Sequence, residues 1–263
     1  MLTNPRSDRI RKVAALGGRS VRSRQGRYLI EGPQAVREAV RFAPTSIVDL
    51  YANVSVANVA IGEIVREAES GGVRTSIATS EVMRAISADC QGIAAVAEMP
   101  LAVAAADLPE AVSGGHLVMC LPQISDPGNL GTLIRIADAA GADAVIIGSG
   151  SVELTNPKVI RSSVGSVFHL PIVTDTQFDS VAQLLRDQGY IVVGADGHAH
   201  NELPNVPALQ RDRLAWVFGN EAHGLSAAER AACDELAKVP LLGRAESLNV
   251  AAAAAICMYT RIW

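Results

Sequence analysis

The front of the chain alternates short apolar runs with segments in which apolar residues recur every three or four positions, the spacing of helices. Strands are predicted at 27–30, 46–51, 73–77 and 93–97, and helices at 33–41, 59–68 and from Ser80, which is expected to cap its own helix. Gly71 and Gly72 are expected to end the second helix. The first hundred residues are therefore predicted to form a small α/β unit.

The second half of the chain has a different pattern, in which apolar runs do not alternate with polar residues. These runs lie at 117–121, 144–147, 167–173, 191–193 and 214–218. Continuous runs of Val, Ile and Leu are typical of parallel strands covered on both faces. We therefore predict an α/β chain with two domains, at 1–100 and 115–263, joined by an Ala-, Pro- and Gly-containing linker at 101–114.

Composition excludes several classes of protein. Apolar residues make up 49% of the chain, yet no apolar run reaches the roughly eighteen residues of a membrane span. The basic N-terminus is not followed by the apolar segment of a secretory signal. The four cysteines, Cys90, Cys120, Cys233 and Cys257, have no metal-binding or redox spacing and suit a reducing cytoplasm. Aromatic residues, at 4%, are too few for a single-strand binder built on stacked bases.

Charge is divided unevenly along the chain. Residues 1–41 carry ten Arg and Lys against three acidic residues, a net charge of +7, which leaves −11 for the rest of a chain whose formal net charge is −4. A basic front suggests a site for a polyanion such as RNA. A solvated, partly disordered tail would have the same composition, so both interpretations stay open on charge alone.

Three short segments carry the candidate chemistry, each where a predicted strand or turn leads into a helix or loop. They are Asn129–Arg135, Phe218–Leu225 and Val239–Val250. In an open parallel sheet, ligands bind at the carboxyl ends of the strands. Asn129 is predicted to be the N-cap of a helix, with Arg135 lying off its apolar stripe. The third segment is expected to end a short strand at Val239-Pro240 and to cap a terminal helix from Val250 to Trp263, which contains five consecutive alanines.

These three segments, in this order, resemble the SpoU (TrmH) family of S-adenosylmethionine-dependent RNA ribose methyltransferases. The resemblance covers roughly residues 115–263, and Tyr28–Ala39 also looks like the opening of the family's N-terminal domain. It implies a trefoil-knotted parallel-sheet SPOUT domain, preceded by a small α/β domain that resembles a ribosomal protein and binds the RNA substrate. It also implies a homodimer.

The resemblance further implies roles for individual residues. The expected catalytic residues are Arg135, Asn129, Glu221, Ser247 and Asn249, and the backbone of Gly219, Val239 and Leu248 is expected to bind S-adenosylmethionine. No metal is implied. Because a guanidinium rarely loses its proton, Arg135 is expected mainly to hold an RNA phosphate and to stabilise charge on the ribose 2′-oxygen. Its action as a general base stays open.

The expected function is therefore methylation of a ribose 2′-hydroxyl in structured RNA, most readily large-subunit rRNA, in the cytoplasm. The alternatives are a tRNA ribose methyltransferase, an rRNA methyltransferase that confers antibiotic resistance, and a non-catalytic RNA-binding assembly factor on the same scaffold. Asn156-Pro-Lys158, with Arg161 and Gly165, resembles another family segment; it is expected either to contact RNA or simply to cap a helix.

Overall fold

A computed structural model of the chain describes residues 1–54, 59–203 and 205–260. Its helices are α1 (Asp8–Ala14), α2 (Arg19–Gln25), α3 (Pro33–Phe42), α4 (Val59–Ser70), α5 (Ser80–Ile86), α6 (Leu108–Ala111), α7 (Pro127–Ala139), α8 (Pro157–Ser163), α9 (Phe178–Asp187), α10 (Ala227–Ala231) and α11 (Val250–Tyr259). Its strands are β1 (Arg27–Glu31), β2 (Ile47–Ala52), β3 (Thr75–Ile77), β4 (Ile93–Glu98), β5 (Leu117–Leu121), β6 (Ala144–Gly148), β7 (Ile172–Thr176), β8 (Ile191–Ala195), β9 (Asn201–Glu202), β10 (Leu214–Phe218) and β11 (Glu235–Lys238).

The chain divides into two compact units. Unit 1 comprises Met1–Leu101 and Leu154–His169, and unit 2 comprises Ala102–Glu153 and Leu170–Trp263. The segment 154–169, which contains α8, thus packs with the front of the chain although it lies far along the sequence. Within the predicted linker, α6 and a short 3-10 turn at Ala105–Asp107 are ordered and belong to unit 2.

Unit 1 is built on a four-stranded sheet in the order β1-β4-β2-β3. β4 is antiparallel to both of its neighbours, and β2 runs parallel to β3 at the edge. All four predicted strands are present, although the third begins at Thr75 rather than Val73. The cap of α5 is Thr79, not Ser80, because the Thr79 hydroxyl accepts a hydrogen bond from the amide of Val82.

The basic N-terminal segment is folded, so the interpretation of it as a disordered tail is wrong for the residues described. Two short helices, α1 and α2, occupy it. Ile10, Val13 and Leu16 are buried in the core of unit 1. Arg22 is only 2% exposed, and its guanidinium donates hydrogen bonds to the carbonyls of Leu16 and Gly17. Burial of its apolar side chains holds this segment in place despite the high charge.

Unit 2 is built on a seven-stranded sheet in the order β7-β6-β5-β10-β8-β11-β9, with every neighbouring pair parallel. Each residue of β5, β6 and β10 is buried, which confirms that the non-alternating apolar runs form strands covered on both faces. None of the described helices is long and apolar enough to cross a bilayer.

Two predicted elements of the second half differ from the structure. The apolar run 167–173 was expected to be one strand, but 166–168 forms a 3-10 turn in unit 1 and β7 begins only at Ile172. Val164 and Gly165 adopt left-handed conformations that turn the chain here, and Val167 is buried without pairing in a sheet. The terminal helix ends at Tyr259, and residues 261–263 of its predicted span lie outside the described part of the chain.

Candidate active site

The carboxyl ends of three neighbouring parallel strands, β10, β8 and β11, meet at one edge of the unit 2 sheet. A cavity of about 360 Å³ lies there. Its walls come from 195–198 after β8, 218–225 after β10, and 237–239 at the end of β11. Chain order reverses at the neighbouring strand β5, because β6 and β7 extend the sheet on one side of it while β10 and β8 extend it on the other. Such a switch point is where parallel α/β sheets bind ligands.

The fourth wall of the cavity comes from the loop before α11 and the start of that helix. Leu241, Glu246, Ser247 and Leu248 line it, together with Val250. Leu241 and Leu248 are 40% and 38% exposed, so apolar surface remains open at the cavity. The strand before this loop ends at Lys238, one residue before the predicted Val239-Pro240. Val239 nevertheless lines the cavity, where it was expected to contact a cofactor.

Glu221 is held at the cavity by hydrogen bonds from the loop after β5. Its carboxylate accepts from the amide of Ser125 at 3.2 Å, from the amide of Asp126 at 3.0 Å and from the side-chain amide of Asn129 at 3.2 Å. Partial burial acts to raise the pKa of Glu221, but backbone hydrogen bonds and the Asn129 amide outweigh it and hold that pKa below the ordinary value of 4.5. Glu221 is therefore a fixed anion at neutral pH.

Asn129 connects this carboxylate to the third segment. Its Nδ2 donates to Glu221, and its Oδ1 accepts from Nδ2 of Asn249 at 3.2 Å. Asn249 in turn caps α11, because its Oδ1 accepts from the amide of Ala251 at 2.9 Å. A continuous chain of side-chain hydrogen bonds thus joins all three sequence segments, Glu221 to Asn129 to Asn249. Of these three residues Glu221 lines the cavity, and the chain runs from there to the start of α11.

The prediction that Asn129 caps α7 is wrong. The N-cap is Asp126, whose carboxylate accepts from the amide of Asn129 at 2.8 Å. Pro127 occupies the first helical position, where its fixed φ and missing N–H cost nothing, so the helix begins earlier than expected. As a result the Asn129 side chain is free of capping and can link Glu221 to Asn249.

Gly219 is required by its own loop. A Cβ built there would lie 2.3 Å from the carbonyl carbon of Gly224 and 2.5 Å from the amide nitrogen of Leu225. Asn220 and Gly224 exchange backbone hydrogen bonds and close this tight loop. The family resemblance had implied only that the backbone of Gly219 binds the cofactor. The structure shows an approach of the loop's own backbone, which places Gly219 in the cavity wall.

An ion pair between a buried carboxylate and a partly exposed arginine at the cavity was not anticipated from the sequence. The Asp196 side chain is 4% exposed; its Oδ2 pairs with Nε of Arg230, and its Oδ1 accepts from the amide of His198 at 2.8 Å. All three residues line the cavity. The available signal for Asp196 was the Asp-Gly-His at 196–198, which follows the apolar run at 191–193 after Gly194 and Ala195. The pair fixes the loop after β8.

The remaining predicted residues are distributed as follows. Ser247 is exposed at the cavity. Arg135 is exposed on α7, does not line the cavity, and forms no hydrogen bond or ion pair with another described residue. The apolar stripe that it was predicted to avoid is buried.

In unit 1, Asn156 caps α8, which is one of the two interpretations given for this segment, and Arg161 pairs with Glu31 and Asp89. No cluster of three or more potential metal ligands occurs among the described residues.

Comparison with known proteins identifies the family. The model of the SpoU rRNA Methylase family matches residues 116–259, more than half of the chain, and thereby includes every segment that builds the cavity. The chain belongs to this family. A second model, RNA 2′-O ribose methyltransferase substrate binding, matches residues 29–102. The family expected from the three sequence segments is confirmed.

Two individual proteins match over most of the chain. The chain is 33% identical over 237 residues to the 23S rRNA (guanosine-2′-O-)-methyltransferase RlmB of Bordetella pertussis, covering 89% of this chain and 96% of that protein. It is 32% identical over 263 residues to the 23S rRNA (guanosine(2553)-2′-O)-methyltransferase RlmP of Bacillus subtilis, covering 98% and 97%.

A solved structure gives the same picture of the fold. The SpoU methyltransferase AviRb of Streptomyces viridochromogenes, in complex with the cofactor AdoMet, superposes with a TM-score of 0.82 at 28% identity. The match covers 97% of this chain and 98% of that one. It confirms the predicted α/β fold with a parallel sheet.

Proposed function

We propose that this SpoU family protein transfers a methyl group from S-adenosylmethionine to a ribose 2′-hydroxyl of large-subunit rRNA. The observation that carries the proposal is the hydrogen-bonded chain Glu221–Asn129–Asn249 beside the cavity. It holds three segments far apart in sequence in one arrangement. A scaffold used only to bind RNA has no need of such a chain at a small-molecule cavity.

The cavity fits the cofactor in size and in surface. Its volume, about 360 Å³, falls within the roughly 300–1,000 Å³ of small-molecule sites. Gly219, Val239 and Leu248, the residues expected to bind through their main chain, line it, and Leu241 adds apolar surface suited to a flat base. AviRb, which has the same fold, binds AdoMet. We propose that these residues hold S-adenosylmethionine in a trefoil-knotted part of unit 2 formed by the loops before and after β11.

The chemistry divides between the cofactor and the chain. When bound, S-adenosylmethionine supplies an activated methyl group that an oxygen nucleophile can take by direct displacement. Asn129, Ser247 and Asn249 orient the ribose beside the cavity, since alignment of the reacting groups lowers the barrier to transfer. Glu221 fixes the Asn129 amide and stays ionised.

Arg135 is proposed to bind the RNA phosphate and to stabilise negative charge that develops on the 2′-oxygen. Its guanidinium is exposed on the helix that carries Asn129, and no described residue neutralises it. We expect Arg135→Ala to abolish methyl transfer while S-adenosylmethionine binding, measured by calorimetry, changes little. Full activity of this variant would show that the role is wrong.

The relatives support the proposed substrate, and exposed surface supports the proposed assembly. Both RlmB and RlmP are named for methylation of 23S rRNA, and residues 29–102 match a substrate-binding model. These matches support rRNA as the substrate, residues 1–100 as the domain that binds it, and action in the cytoplasm. A homodimer through α11 is supported by its small side chains and by Ile256, which is 44% exposed.

The test is transfer of labelled methyl from S-adenosylmethionine to separated rRNA and tRNA that lack this modification. We expect label in large-subunit rRNA. Label in tRNA alone would keep the chemistry and refute the substrate. Absence of label in both fractions, with cofactor binding shown by calorimetry, would favour the non-catalytic assembly factor.

A further inference from the structure

Four side chains on one face of the β2–β3 strand pair form a compact polar group in unit 1. β2 and β3 are in parallel register with Tyr51 opposite Ser76, which places Asp49 opposite Arg74. Residues two apart on a strand share a face, so Asp49, Tyr51, Arg74 and Ser76 lie together. β3 is the edge strand of its sheet, and α1 contributes Arg9 to the group.

Asp49 organises this group through one nearly buried carboxylate. Its side chain is 12% exposed, and its Oδ1 accepts from Nη2 of Arg9 at 3.2 Å and from Nε of Arg74 at 2.5 Å. Tyr51 donates to its Oδ2 at 3.3 Å. Tyr51 also fixes Arg9. The Nε of Arg9 donates to the Tyr51 hydroxyl at 3.0 Å, and its guanidinium carbon lies 5.0 Å from the centre of the Tyr51 ring.

Charge in this group is not balanced. Two guanidinium groups share one carboxylate, so the group carries a net charge of +1. The side chain of Arg74 is 67% exposed, and only its Nε has a partner among the described residues. The side chain of Arg9 is 42% exposed, and its Nη1 likewise has no described partner. A single arginine would neutralise Asp49, so the second adds repulsion that packing alone does not require.

Acidic side chains near this strand pair do not cancel the surplus charge. Glu69 accepts a hydrogen bond from the Thr75 hydroxyl. Thr75 lies between Arg74 and Ser76 on the strand, so its side chain points to the opposite face. Among the contacts of the described residues, the acidic partner of Arg9 and Arg74 on this face is therefore Asp49, whose Oδ1 already accepts from both of them.

We propose that Arg9 and Arg74, fixed by Asp49 and Tyr51, form a subsite for a phosphate of the RNA backbone. Guanidinium groups donate in a planar fork that matches phosphate oxygens, and groups held in place before binding lose little conformational freedom. Such a contact positions the RNA without reading its sequence. The inference rests on RNA being the substrate. Arg9 precedes the residues matched by either family model, so neither model covers the complete subsite.

The test compares Arg74→Ala with Arg84→Ala in equilibrium binding to a large-subunit rRNA transcript over a range of salt concentrations. Both arginines are exposed in unit 1, but Arg84 lies on α5 outside the group and has no described partner. Loss of one phosphate contact should lower the salt slope by about one unit and weaken binding about fourfold at 0.15 M salt. Arg84→Ala should bind like the wild type. Equal effects of the two substitutions would overturn the subsite.

Asp49→Asn separates positioning from charge. This variant removes one negative charge, so the net charge of the protein becomes more positive by one, which by itself strengthens RNA binding. It also loses the carboxylate that holds both arginines. The subsite predicts weaker binding, and tighter binding would contradict it. Thermal unfolding checks that the variant is folded. If it is not, the comparison of Arg74→Ala with Arg84→Ala alone tests the subsite.

The outcome is independent of the methylation assay. Normal rRNA methylation with no difference between Arg74→Ala and Arg84→Ala would refute the subsite and leave the proposed function intact. If the wild type binds rRNA but transfers no methyl group, the proposed methyltransferase function is refuted. The comparison of Arg74→Ala with Arg84→Ala in rRNA binding would still test the subsite. Failure of the wild type to bind rRNA would refute both.

Discussion

The orientation of one side-chain amide, that of Asn129, determines how the site is assembled. Its Nδ2 faces the ionised Glu221, so its Oδ1 is left to accept from Asn249. The Oδ1 of Asn249 accepts from the amide of Ala251, which caps α11 and ends the chain of hydrogen bonds. Each amide therefore fixes the direction of the next, and the anionic state of Glu221 sets the direction of all of them.

Asn249→Ala removes both the cap and the link to Asn129. We expect a loss of about 1 kcal/mol in the free energy of unfolding, the usual cost of an N-cap. Methyl transfer should fall on the order of 10²-fold because Asn129 is no longer aligned. The matched control is Thr79→Ala, which removes the cap of α5 in unit 1. It should cost similar stability and leave the transfer rate unchanged; an equal fall in activity would mean that Asn249 acts only through stability.

Glu221 makes stability depend on pH in a defined direction. Its pKa is lowered in the folded protein, so its contribution is present above the ordinary value of 4.5 and is lost as pH falls through the folded pKa. Denaturant unfolding of the wild type and Glu221→Gln from pH 7 to about pH 3 measures this. The stability advantage of the wild type should shrink only below about pH 4.5. A constant difference across the range would contradict the pKa shift.

At the residue scale, the sequence indicated candidate polar residues but not what they contact. Glu221, Asn129 and Asn249 were named in advance, and they form one hydrogen-bonded chain. Their contacts run across about 90 to 120 positions and depend on strand order, which local patterns do not contain. The Asp-Gly-His after β8 marks Asp196 in the sequence, but no local pattern marks its pairing with Arg230, 34 positions away.

At the scale of the element, the loop after β10 depends on the absence of a side chain at Gly219. Gly219→Ala would place a methyl group against the backbone of Gly224, which cannot move without opening the loop. We expect a loss of about 1–3 kcal/mol in stability and clearly weaker S-adenosylmethionine binding. The control, Gly197→Ala, introduces a methyl at another glycine of the cavity wall, with no atom within 4 Å. It should unfold like the wild type; equal destabilisation by both would show that the Gly224 contact is not the cause.

The sequence predicted strands correctly where an apolar run is both buried and paired in a sheet. The runs in β5, β6 and β10 are apolar because both faces of the sheet are covered. The run 167–173 is apolar for another reason, since Val167 is buried beside a left-handed turn. An apolar run therefore predicts that its residues are buried. It forms a strand only where another strand lies beside it and can pair with it.

At the scale of the whole molecule, the proposed homodimer gives a prediction. Ile256 is an exposed apolar residue on α11, so Ile256→Glu should convert a species of about twice 27.5 kDa into the monomer in sedimentation experiments. Val59→Glu places the same charge at an apolar residue of unit 1 that is 69% exposed. It should leave the dimer intact. A monomeric wild type would refute the proposed assembly.

The most direct test of the central claim is the chemical position of the transferred methyl group. Large-subunit rRNA labelled by this protein and S-adenosylmethionine would be digested to nucleosides and separated. We predict that the label is found on the 2′-oxygen of ribose, in one nucleoside, and that it is absent with Arg135→Ala. Label on a base, or label that survives loss of Arg135, would contradict the account of this site.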